Sequence, residues 1–76
     1  MVLGEFIDLI NDGYLTISVI SRIDFEDMPA GTVLFQGKIA DFQNKLVDSI
    51  NDVYLDELYL DTIDIDEYGI FTIYVC

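Results

Sequence analysis

The end of the chain reads as a β-hairpin, and a hairpin cannot stand alone. Ile63 and Ile65 alternate with Thr62, Asp64 and Asp66, and Phe71, Ile73 and Val75 alternate with Ile70, Thr72 and Tyr74. A period of two sends successive side chains to opposite faces of a strand. Asp66-Glu67-Tyr68-Gly69 lies between the two runs as a turn, with Gly69 where a positive φ is needed. An isolated hairpin is marginal in water, so its apolar face requires further strands or a helix.

The rest of the chain offers both. Residues 2–10 carry Leu3, Phe6, Ile7 and Ile10 at helical spacing, with Glu5 and Asp8 off that stripe and Gly13 placed for a left-handed helix end. Residues 14–23 alternate: Leu15, Ile17 and Val19 face one way, and Tyr14, Thr16, Ser18 and Ile20 the other. A connection with Pro29 leads to a second alternating run over 32–38, which sets Val33, Phe35 and Gly37 opposite Thr32, Leu34 and Gln36. Residues 39–50 return to helical spacing through Ile39, Phe42, Leu46 and Ile50, with Asp41 as a candidate cap. Residues 51–59 keep no single period and read as a loop or a short helical turn.

The order predicted is therefore α-β-β-α-β-β. This is an α+β fold, a single acidic domain over residues 1–76, with a four-stranded, mainly antiparallel sheet and two short helices on one face. The expected core is Leu15, Ile17, Val19, Val33, Phe35, Ile63, Ile65, Phe71, Ile73 and Val75. The other sheet face is left open.

Composition decides what such a domain can do. Its 76 residues are 53% hydrophobic, which argues for an ordered core, yet fifteen acids face only Arg22, Lys38 and Lys45, for a net charge of −12. From Asp48 onward there are eight acids and no base. Two readings compete: a solubility device for an apolar chain, or a negative surface shaped for a basic partner. Direct binding to nucleic-acid phosphates or to anionic lipid is disfavoured on this balance. Mutual repulsion predicts stability that rises with salt and as pH falls from neutral toward about 5.

Several chemistries lack their residues. Histidine is absent and Cys76 is the lone cysteine, so neither a nucleophile–base pair nor a structural zinc site can be assembled. The five glycines occur singly and form no phosphate loop. Paired carboxylates at Asp24, Glu26 and Asp27, or at Asp56 and Glu57, read as solvated charge. A domain this small is also expected to have little room for a ligand pocket of about 300 Å³ or more. A calcium loop begun at Asp64 fails at Tyr68 and Val75, where oxygen ligands belong. No catalytic residue, metal or cofactor is assigned, and the chain is read as a binding protein rather than an enzyme. Without a basic leader, an apolar span or paired cysteines, a cytoplasmic location is expected.

Two surfaces are candidates. Asp56, Glu57, Asp61, Asp64, Asp66 and Glu67 would bind a basic protein surface; Asp64 and Asp66 stand about 6.6 Å apart along one strand face, comparable to phosphate spacing, as in a DNA mimic. Ile20, Leu34, Ile70 and Tyr74 would form an apolar interface on the open sheet face, suited to a homodimer or another structural assembly. The segments LGEFIDLI, FQGKIADF and TIDIDEYGIFTIYV resemble small acidic, mostly uncharacterised accessory proteins of phages and mobile elements in Gram-positive bacteria. That resemblance implies an accessory role such as inhibition of a host defence nuclease or another nucleic-acid-binding protein.

Overall fold

The computed structural model describes residues 1–25 and 27–76. It is α+β, as expected. One helix, α1 (Leu3–Leu9), precedes strands β1 (Thr16–Ser21) and β2 (Val33–Lys38). A 3₁₀ turn (Ile39–Asp41) then leads to two short strands, β3 (Leu46–Asp48) and β4 (Val53–Tyr54). A second 3₁₀ turn (Leu55–Glu57) leads into the terminal hairpin, β5 (Leu60–Ile65) and β6 (Phe71–Val75).

The main sheet has the order β2-β1-β6-β5, and β3 pairs with β4 in a separate small sheet. The terminal hairpin expected from the alternation is present, with β5 antiparallel to β6, and β1 likewise runs antiparallel to β2. The two pairs join through a parallel pairing of β1 with β6, so the sheet is mixed rather than mainly antiparallel. The two inner strands are the most thoroughly buried; Ile17, Val19, Ile73 and Val75 are each 0% exposed. Leu3 from α1, Ile39, Val47 from β3, Leu55 and Leu58 close the core over one face. The turn of the terminal hairpin is built as its residues suggest. Asp66 Oδ1 accepts from the backbone N–H groups of Tyr68 (2.8 Å) and Ile70 (2.9 Å), and Gly69 takes φ +79°.

Four expectations are corrected. The helix expected over 39–50 does not form; a single 3₁₀ turn and β3 replace it. Asp and Asn side chains here favour turns over helix. Asp48 Oδ1 accepts from the N–H groups of Ile50 and Asn51, and Asn51 Nδ2 donates to Asp48 Oδ2 at 2.8 Å. Of the expected stripe, Ile39 is buried and Phe42 packs edge-on against Phe35 at 5.3 Å, whereas Leu46 and Ile50 are exposed. Asp41 makes no side-chain cap.

The second correction concerns β2. A register shift sets Val19 opposite Phe35 but Ile20 opposite Val33, so Leu34 is an extra residue in the ladder. This bulge turns Leu34 into the core at 3% exposure and leaves Val33 at 48%. The third concerns β5. Ile63 and Ile65 pair with Ile73 and Phe71, so their parity is as expected, but they are 40% and 62% exposed. Leu60, at the start of β5, packs against the core, whereas Ile63 and Ile65 farther along this edge strand are left open. The fourth is Gly13, which has no positive φ. A Cβ there would meet Ala40 Cβ at 3.2 Å, so Gly13 permits a close chain approach, and the Ala40 N–H donates to Gly13 O at 2.9 Å.

Candidate acidic interface

The structure joins acids that lie far apart in sequence. α1 packs chiefly against the second 3₁₀ turn, and Gly4 is where they meet. A Cβ on Gly4 would lie 3.1 Å from Asp56 Cβ and 3.2 Å from Asp56 O, so the missing side chain lets the two turns touch. Each turn ends in a glutamate that folds back onto its own start: Glu5 Oε1 accepts from the Val2 N–H, and Glu57 Oε1 from the Tyr54 N–H, both at 3.2 Å. Glu5, Asp8, Asp56 and Glu57 thereby line one open groove of about 480 Å³, with Val2 and Tyr59 beside them. The volume exceeds the limit expected for so small a chain, but the groove is a surface depression rather than an enclosed pocket.

The sequence reading placed Asp56 and Glu57 in the binding set and missed Glu5 and Asp8. The Gly4–Asp56 contact and the hydrogen bond that Leu3 N–H donates to Leu58 O at 2.8 Å bring the two pairs together, and a lone glycine in a helical pattern is the one hint of close packing that the sequence offers.

The remaining predicted acids lie on the adjoining hairpin. Asp61, Asp64, Asp66 and Glu67 are all exposed. Asp61 pairs with Arg22 (Nε to Oδ2, 3.2 Å), the single ion pair among the described residues. Both side chains are about half exposed, so the pair contributes less than about 1 kcal/mol. Asp64 is opposite Thr72 in the ladder, and Asp66 is committed to the turn. Among the described residues, no three carboxylates converge to hold a metal ion.

The apolar patch expected on the open face is not assembled as foreseen. Leu34 belongs to the core on the opposite side. Tyr74 is half-buried beneath the Arg22 guanidinium, which sits 4.0 Å from its ring centroid. Ile20, beside Tyr74 in the parallel ladder, and Ile70 are also half-buried.

The charge has a measurable consequence. With one exposed ion pair to offset so many acids, screening by salt is expected to stabilise the fold. Raising sodium chloride from about 0.01 M to 0.5 M should lift the melting temperature by about 5 °C, equivalent to about 1 kcal/mol for a domain this size. An unchanged melting point would mean that the charges are too dispersed to interact. Asp48 opposes the gain in stability expected on acidification, and does so only at low pH. Its hydrogen bonds from Asn51 hold its carboxyl below the usual value, ahead of burial, which acts in the opposite direction. A lowered folded value adds stability above the unfolded value near 3.9, and that stability is lost as pH falls through the folded value.

No protein-family model, curated protein or solved structure matches this chain. Among the described residues, no helix is long and apolar enough to cross a membrane.

Proposed function

We propose that this protein is a non-enzymatic binding module that recognises a basic protein surface, as an inhibitor or accessory factor. The observation that carries this reading is the gathering of Glu5 and Asp8 with Asp56 and Glu57 in one groove, beside the exposed acids of the hairpin. Among the described residues, no lysine or arginine lines that groove. Four like charges held together oppose folding, and a cationic partner would relieve them. A nucleic-acid-binding protein has such a cationic surface, so mimicry of a phosphate track belongs to this reading.

The test compares two triple variants after pull-down and mass spectrometry have supplied a purified partner. Asp61→Asn/Asp64→Asn/Asp66→Asn removes three charges from the hairpin. Asn keeps the acceptor oxygen that the turn at position 66 uses. Asp12→Asn/Asp27→Asn/Asp41→Asn removes three charges elsewhere. The hairpin triple is expected to slow association about tenfold at low salt and to flatten its salt dependence, while the second triple changes both less than about twofold. Equal losses from the two sets would mean that net charge matters and position does not. Unaltered capture by both would exclude the hairpin acids, and unaltered capture by a third variant in the groove, Glu5→Gln/Asp56→Asn/Glu57→Gln, would leave solubility as the role of the charge.

A further inference from the structure

β5 lies at the edge of the sheet, and its outer side is open. In an antiparallel ladder, backbone groups point alternately toward the partner strand and away from it. The Asp66 N–H donates inward to Ile70 O at 3.0 Å, so the N–H and C=O groups of Ile65 and Ile63 point outward. The same edge already accepts a strand at its start. Val2 bridges Tyr59 in the antiparallel sense, and the Leu60 N–H donates outward to Met1 O at 3.0 Å. Beyond Leu60, no described residue pairs with this side. Each edge strand carries one bulge, β2 at Leu34 and β5 at Asp61, and β5 is regular from Thr62 to Ile65.

The side chains select the occupant. Ile63 and Ile65 form an exposed apolar row on one face, and Asp64 stands on the other with Asp66 next in line. A second copy of β5 fits poorly. Antiparallel registers centred on Asp64 or Ile65 set carboxylates directly opposite one another. A register centred on Ile63 meets the Met1 arm at Leu60, and each chain has a net charge of −12.

We propose that the β5 edge takes an extended basic segment of another protein as a fifth strand, antiparallel to β5. Apolar residues of the segment alternate with Lys or Arg, so that one set lies along Ile63 and Ile65 and the other meets Asp64 and Asp66. The proposal rests on the acidic-binding reading and adds to it the form of the partner: main-chain pairing supplies part of the affinity, and charge supplies the choice of strand. The acidic groove adjoins the same edge through Val2 and Tyr59, so basic residues that flank the segment have a place to go.

The probe is a synthetic peptide of about ten residues that alternates valine with lysine, compared with a peptide of the same composition in two blocks. Amide exchange by NMR and titration calorimetry read the outcome. The alternating peptide is expected to bind at least about tenfold more tightly and to slow exchange at Ile63 and Ile65. Ile65→Pro removes an outward N–H that the β5–β6 ladder does not use, a substitution that edge strands tolerate. It should cut alternating-peptide affinity about tenfold and leave the block peptide unchanged. Equal binding of both peptides, with exchange at Ile63 and Ile65 unaltered, overturns the edge proposal and leaves the acidic-surface reading standing. Failure of both peptides to bind overturns both. A dimer of the free protein that Ile65→Pro abolishes would assign the edge to a second copy instead. The exchange measurement on the parent protein decides the matter even if the proline variant does not fold.

Discussion

Replacing Ile73 with alanine is expected to destabilise the protein by about 4 kcal/mol, while the same change at Ile63, directly across the ladder, should cost about 1 kcal/mol or less. The two isoleucines face each other on β6 and β5 and share a sheet face. They differ in cover. Ile73 is 0% exposed, with β1 on one side, β5 on the other and the core above it; Ile63 is 40% exposed at the edge. Alanine at position 73 removes three buried carbons and leaves a cavity bounded by two strands, a site poorly able to collapse. At position 63, solvent already reaches the side chain and can fill the space that alanine vacates. A domain of this length has a total stability of roughly 4–11 kcal/mol, so the first variant stands near the limit of folding. Urea unfolding at fixed salt measures both. A cost at Ile63 equal to that at Ile73 would show that something covers the β5 edge in solution. A concentration-dependent midpoint would then identify that cover as another copy of the chain.

This contrast marks what alternation does and does not encode. Parity is local: Ile17 and Val19, Ile63 and Ile65, and Ile73 and Val75 were each assigned to the correct side. Cover is not local. Whether a side chain on the correct side is buried depends on what lies above it, and Ile63 and Ile65 of β5 stay 40% and 62% exposed. The stripe of α1 and the terminal hairpin were legible because every residue that specifies them lies within one turn or one loop. The parallel pairing of β1 with β6 was not, because it joins two hairpins across the chain and no short-range signal reports it. The error over 39–50 has another cause. Apolar residues at helical intervals occurred by coincidence, and the Asp48–Asn51 turn prevailed.

The candidate interface divides in the same way. Its charge was plain from composition, and the exposure of Asp61, Asp64, Asp66 and Glu67 follows from their positions in the hairpin. The groove was not legible, because it depends on a helix and a 3₁₀ turn meeting at Gly4 and Asp56 across most of the chain length. The open sheet face was read too apolar for two reasons. The bulge removes Leu34 from it, and Arg22 stacks over Tyr74.

The bulge in β2 supplies the other large effect. Leu34→Ala is expected to cost about 3 kcal/mol and Val33→Ala about 0.5 kcal/mol, the reverse of the order that strict alternation implies. Alternation puts Val33 with Phe35 in the core and Leu34 outside. Leu34 itself, the extra residue opposite the Val19–Ile20 step of the facing strand, breaks that count. Leu34 then turns inward beside Phe35, whose ring meets Phe42 edge-on at 76°, and truncating Leu34 opens a cavity in that part of the core. Val33 stays on the open face opposite Ile20, where alanine loses little buried area. The bulge also kinks the β2 edge, as the bulge at Asp61 kinks the start of β5, and both make these edges poorer templates at those points. Thermal or urea unfolding of the two single variants reads the order directly. If Val33→Ala proves the costlier change, β2 is a regular strand in solution and Leu34 returns to the open face beside Ile20 and Tyr74.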